Sequence, residues 1–349
     1  MRIGGVIGVA LPALLALAAP ALADDRTDCL QGRDPEAVIR GCSALIAAGT
    51  APASELADAY DSRGAAYQYN GATDLALADF TKAIQLKPDG FQAYVDRGDT
   101  YAAGRQLELA VADYTRAIAL NAAATDAYSG RGSALMSLGR TEAAIADFGK
   151  VIDADPASPD GYVARGIARS AAQQYDLAIA DFDAALKRDD RQAFVYDLRG
   201  TSNFARKSYE AAIADFSKAL ALQPGEVQVH LNRALAYDAT GQYALAIADY
   251  GKAVLKISAD PQIYINRGTD YIKTSQWDLA VRDFSQTIRL APDLALGYTG
   301  RGEALAGKGD FARALEDYEA GAKLLAAGTP ARADADAKIA DLKRKAGGR

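Results

Sequence analysis

Side chains able to do chemistry are few in this chain of 349 residues, which holds one histidine, His230, and two cysteines, Cys29 and Cys42. One histidine leaves little for acid-base work near neutral pH, and no GxSxG, P-loop, GxGxxG or HExxH string is present. What recurs instead is a charged pair. Arginine returns at Arg63, Arg97, Arg131, Arg165, Arg199, Arg233, Arg267 and Arg301, each 34 residues after the last. Aspartate keeps step at Asp79, Asp113, Asp147, Asp181, Asp215, Asp249, Asp283 and Asp317. Guanidinium groups at a fixed interval could form a ladder for phosphates. Matched one for one with carboxylates, they are better suited to ion pairs that place charge near a core.

Composition narrows the choice further. Half of the residues are hydrophobic, enough for a sizeable core, and the net charge of −6 argues against nucleic acid as a partner. The first 23 residues have the form of an export signal: Arg2, an apolar run, and "ALA" ending at Ala23. The mature chain is then expected to begin at Asp24 with no stable membrane span, and the periplasm or the exterior is the expected location. Cys29 lies too far from the cleavage point for a lipid anchor.

The elements that must position these residues follow from the same period. With residues 57–90 as the first unit and 295–328 as the last, eight units run without a slip. Position four is tyrosine except at His230, which reads as a packing substitute, and position eight is glycine or alanine. Position twenty is always alanine, and position twenty-four is aromatic from Phe80 to Tyr318. Spacings of three and four mark helical faces, and breaks such as "YNGAT" and "SLGRT" divide each unit into two helices. One such hairpin cannot bury its apolar face alone, so neighbours must stack.

The tyrosine, the "RG" dipeptide, a frequent tyrosine at position eleven, the alanine, the aromatic and a closing proline together resemble the tetratricopeptide repeat family over residues 57–328. The closing proline is kept only in alternate units, as Pro88, Pro156, Pro224 and Pro292. The resemblance implies an all-α fold, an α-solenoid wound as a right-handed superhelix of eight helix-turn-helix repeats. A degenerate helical cap over 24–56 and a capping helix over 329–349 would close its ends. Cys42 stands where the aromatic belongs and Cys29 where position eleven would be, which in this family are facing helices. They could therefore form a disulfide, in keeping with export, or remain two core thiols.

By the same resemblance, a concave groove is lined by positions two, five, nine, twelve and thirteen of each first helix. There the chain carries Asp58, Asp61, Asp99, Asp126, Asp160, Asp197 and Asp238, with Phe194, Phe204, Leu231 and Leu235 as apolar anchors, and Lys273 as the single base. A protein or peptide of neutral to basic character is the expected partner. Asn232 and Asn266 lack the lysines of a clamp for a chaperone's C-terminal carboxylate, so that partner is not expected. No cofactor, metal or catalytic residue is expected. A non-catalytic adaptor of the bacterial cell envelope is the favoured reading. The alternatives are a spacer or self-assembling element using its end faces, and an accessory subunit of an envelope enzyme.

Overall fold

Tyrosine, arginine and glycine sit together at positions four, seven and eight because one face of each first helix must meet the aromatic of the second. A computed structural model describes residues 25–347, so the signal expected over 1–23 lies outside the described residues. Every element among them is a helix, a turn or a bend. Two units divide the chain, one reaching Ala172 and one starting at Gln173.

In the first unit α1 covers residues 25–31, followed by α2 (Pro35–Ala48), α3 (Ala53–Tyr69), α4 (Thr73–Leu86), α5 (Phe91–Ala103), α6 (Leu107–Leu120), α7 (Thr125–Ser137), α8 (Thr141–Ala154) and α9 (Asp160–Ala171). In the second, α10 (Tyr175–Leu186) precedes the hairpins α11 (Ala193–Ala205) with α12 (Tyr209–Leu222), α13 (Val227–Ala239) with α14 (Tyr243–Val254), α15 (Pro261–Lys273) with α16 (Trp277–Leu290), and α17 (Ala295–Gly307) with α18 (Phe311–Leu324). Helix α19 (Pro330–Gly347) then lays Ala335, Ile339 and Leu342 on the core of the last hairpin. Within each unit consecutive hairpins stack, so the fold is an all-α helical-repeat solenoid.

Close packing explains the glycine column. A Cβ at Gly98 would stand 2.9 Å from the Tyr114 ring, and one at Gly130 of the next repeat 2.6 Å from that same ring. A single aromatic thus seals its own hairpin and the joint to the next, and almost any added atom would push the helices apart. Tyr114 is 1% exposed.

The turn inside each hairpin needs a left-handed residue at position fifteen. Gly71, Gly139, Gly241 and Gly309 supply it without cost, whereas Arg105, Gln173, Lys207 and Ser275 adopt φ between 57° and 64° despite their Cβ atoms. At the amino end, α1 and α2 are joined by the Cys29–Cys42 disulfide, both residues buried against Ala59 and Ala66 of α3. Asp34 caps α2 by accepting from the Ala37 amide at 3.0 Å, with Pro35 at the first helical position.

The recurring charges form a clamp. Arg97 donates from Nε to Asp113 Oδ2 at 2.7 Å and from Nη2 to Oδ1 at 2.8 Å, both within its own hairpin. Its Nη1 donates to Thr81 of the preceding hairpin at 3.1 Å. Arg63 binds Asp79 and Ser43 in the same way, Arg131 binds Asp147 and Thr115, Arg233 binds Asp249 and Ser217, and Arg301 binds Asp317 and Ser285. Arg199 reaches Asp215 and, in place of a hydroxyl, the Asp183 carboxylate at 2.5 Å. Arg267 pairs with Asp283 at 2.7 Å; Gly251 stands at its hydroxyl position, as Gly149 does for Arg165. Tyrosines flank the guanidinium groups: Tyr94 and Tyr101 lie 5.8 Å from Arg97, and Tyr162 lies 6.0 Å from Arg165. Asp181 is buried within the second unit.

Two stability outcomes follow from the clamp. Replacing Arg97 by Ala should cost about 3 kcal/mol in chemical denaturation, because the Asp113 carboxylate stays buried without its counter-ion. Gly251→Ser should raise stability by about 0.5–1 kcal/mol, because a Cβ there meets only Arg267 Nη1, at 3.9 Å, and the helix loses a glycine.

Candidate functional site

In the first unit the first helices α3, α5 and α7 touch one another along one side of the stack, and their outward positions gather carboxylates. Asp58, Asp99 and Asp126 are exposed, as is Asp160 at the start of α9, while Asp61 and Asp96 are half-buried. Lys87, just beyond α4, approaches Asp58 at 3.2 Å. Asp61 Oδ1 is buried without a hydrogen-bond partner. Burial, reinforced by the charges of Asp96 and Asp58 and opposed by Lys87, pushes the Asp61 carboxyl up to about 7. Asp96 is pushed up to about 6, again first by burial, with the Gln92 amide at 2.9 Å opposing and Asp99 and Asp126 adding to the rise. Partial desolvation of its carboxyl also raises Asp99, although the residue as a whole is exposed, against the hydrogen bond it accepts from the Tyr114 hydroxyl at 2.6 Å.

The face is therefore less charged near neutrality than a count of its acids implies. Ionising all of its carboxyls is costly while water is partly excluded and Lys87 alone, beside Asp58, opposes the rise of Asp61. An arriving ammonium or guanidinium would relieve that cost and release protons as it binds.

The corresponding face of the second unit is different. Phe194 is 54% exposed, and between α11 and α13 lies a small recess of about 60 Å³ lined by Thr201, Phe204, Phe216, Asn232 and Leu235. Asn232 is oriented twice: its Oδ1 accepts from Gln228 at 3.0 Å, and its Nδ2 donates to Asp197 Oδ1 at 3.2 Å. Burial raises the Asp197 carboxyl, the Asn232 bond opposes this, and the charge of Glu226 adds to it. Leu231 packs half-buried on the core around Tyr250, so it belongs more to the hairpin than to the face.

Lys273 is already engaged. Its Nζ lies 2.5 Å from Asp238 and 3.6 Å from Asp270, over the Tyr243 ring at 4.5 Å. Asp270 is 1% exposed, and burial together with the neighbouring Asp238 carboxyl raises its pKa. His230 places Nδ1 2.9 Å from Asp249, the carboxylate that Arg233 also holds, and Nε2 3.3 Å from the Pro224 carbonyl. Its role is to fill and tie the hairpin. Among the described residues no group of three or more His, Cys, Asp or Glu side chains is arranged to hold a metal ion.

Asp96 and Asp270 lie outside the columns that the family's pattern assigns to this face. Asp96 is at position six. Asp270 stands at position ten, where the other repeats carry alanine, threonine or serine, and that substitution was the available signal.

A tetratricopeptide repeat family profile matches residues 62–122, 95–159, 163–227, 198–262 and 265–336, and the chain belongs to that family. The family is one of protein-interaction scaffolds, generally non-catalytic. No curated protein matches the chain. Among solved structures, the C-terminal part of a TPR repeat-containing protein from Cytophaga hutchinsonii is 21% identical, with a TM-score of 0.60 over 68% of this chain and 97% of that one. A tetratricopeptide repeat protein from Parabacteroides merdae is 19% identical, with a TM-score of 0.53 over 71% of this chain and 98% of that one. At these identities the likeness is one of fold.

A pH dependence follows from Asp61. Its carboxyl is held above the ordinary 3.8, so the folded state keeps a proton that the unfolded chain has lost, and stability from this group falls as pH rises from about 4 to about 7. Asp61→Asn should match the parent in thermal unfolding near about pH 4, gain on it up to about pH 7, and hold a constant lead above that.

Proposed function

We propose that the chain is a non-catalytic scaffold of the bacterial cell envelope that captures a neutral or cationic peptide segment or helix on the first-helix faces of its repeats. The observation carrying this reading is the carboxylate set of the first unit. Asp61, Asp96 and Asp99 are raised by desolvation and by the charges of neighbouring carboxylates, a cost that a further cation arriving from a partner would relieve. Asp58, Asp126 and Asp160 extend the same sign along the face and would speed encounter with a basic partner.

The arginine column is spent on structure in this reading, since its guanidinium groups face carboxylates and hydroxyls of the stack. Export is supported by the apolar amino-terminal stretch and by the Cys29–Cys42 disulfide, a bond that persists in oxidising compartments. Among the described residues no helix is long and apolar enough to cross a membrane. Residues 24–56 and 329–349 would act as caps, keeping the two ends of the repeat array from exposing an unpaired hairpin.

The test is binding of a fluorescein-labelled decalysine peptide to the mature chain. Charge reversal of Asp58, Asp61 and Asp99 to lysine should weaken it at least about tenfold, and raising salt from about 0.05 to about 0.5 M should weaken the parent comparably. Affinity that survives both changes would refute capture on this face.

A further inference from the structure

The repeat frame does not require the recess between α11 and α13. At position twelve, where α13 carries Asp238 and α15 carries Ile272, α11 carries Phe204. That ring is fixed edge-to-face against Tyr209, with centroids 5.3 Å apart. Phe216, 1% exposed, closes the floor, while Thr201 and the 38% exposed Leu235 form the rim. Its apolar walls are set before anything enters, so little ordering is needed on binding. At about 60 Å³ it admits the end of one aliphatic side chain, not a whole helix.

One edge of this recess is charged. Asn232 accepts from Gln228 and donates from Nδ2 to the Asp197 carboxylate. Glu226 adds a second negative charge close enough to raise Asp197. Lys273, the base on the first-helix positions of this unit, is committed to Asp238 and Asp270. Among the described residues no ion pair neutralises Asp197. An apolar seat with an uncompensated carboxylate at its lip is complementary to an apolar side chain with a cation next to it.

We propose that this recess seats the end of a single apolar side chain of a partner polypeptide in which lysine or arginine stands next to that residue, the cation answering Asp197. The inference rests on the scaffold reading above and adds the chemistry of the segment taken by the second unit. Phe194, exposed on the same helix, extends the apolar contact to a following residue of the segment.

Fluorescence anisotropy on the mature chain tests it with three labelled probes: acetyl-Lys-Leu-Lys-Leu-Lys-Leu-amide, its Lys-Ser counterpart and its Glu-Leu counterpart. The Lys-Leu probe should bind at least about tenfold more tightly than either of the others. Thr201→Phe fills the recess from its exposed rim and should remove most of the advantage over the Lys-Ser probe. Asp197→Asn, a near-isosteric change, should shrink the advantage over the Glu-Leu probe. Equal binding of the Lys-Leu and Lys-Ser probes, no binding of any probe at about 1 mM, or indifference to both substitutions would overturn the proposal. If lysines at positions 58, 61 and 99 abolish binding while Thr201→Phe and Asp197→Asn do not, capture by the first unit stands and the recess proposal falls. A dimer of the parent in sedimentation that Thr201→Phe dissolves would assign the recess to a second copy of the chain, again overturning it.

Discussion

The bidentate pair of arginine and aspartate inside a hairpin is the constraint on which the other features depend. Both Arg97 nitrogens facing Asp113 lie within 2.8 Å of its oxygens, and the third reaches a threonine one hairpin earlier. A planar fork fixes two helices in rotation as well as distance, which an apolar contact cannot do, because dispersion is nearly indifferent to orientation. Removing two charges from water is costly, and what the pair supplies is register more than net stability: only one alignment of the helices satisfies every arm.

The aromatic at position twenty-four acts at the same joint in the opposite sense. Where the ion pair sets register, Tyr114 sets separation, because its ring stands against the small residues of two successive first helices, Gly98 and Gly130. Charge and ring together use up the inward side of each hairpin. What stays available is the outward side of the first helices, where acids and apolar residues meet solvent without having to satisfy the packing.

The two units use that surface differently. On the first, carboxyls crowd until Asp61 titrates near neutrality and Asp96 about one pH unit below it. On the second, Phe204 and Leu235 open an apolar recess, and the one lysine is neutralised by its neighbours. A stack of near-identical hairpins can thus present unlike chemistry along its length while its frame remains constant, since frame and face occupy different columns of the repeat.

Much of the frame was legible in the chain itself. An unbroken interval of 34 residues, with arginine, aspartate, alanine and an aromatic in fixed columns, specifies helical hairpins that must stack, because period and amphipathicity are local properties of a chain. Glycine marks only half of the hairpin turns; Arg105 and Lys207 adopt the same left-handed geometry with no sign in their residue type, since the tertiary joint imposes it. Whether each arginine takes its aspartate within its own hairpin, the raised Asp61 carboxyl, the burial of Asp270 and the recess beside Asn232 were decided by the tertiary structure alone. Each depends on the distance between side chains on different helices and on how much water their packing excludes, and neither quantity is written in the order of residues.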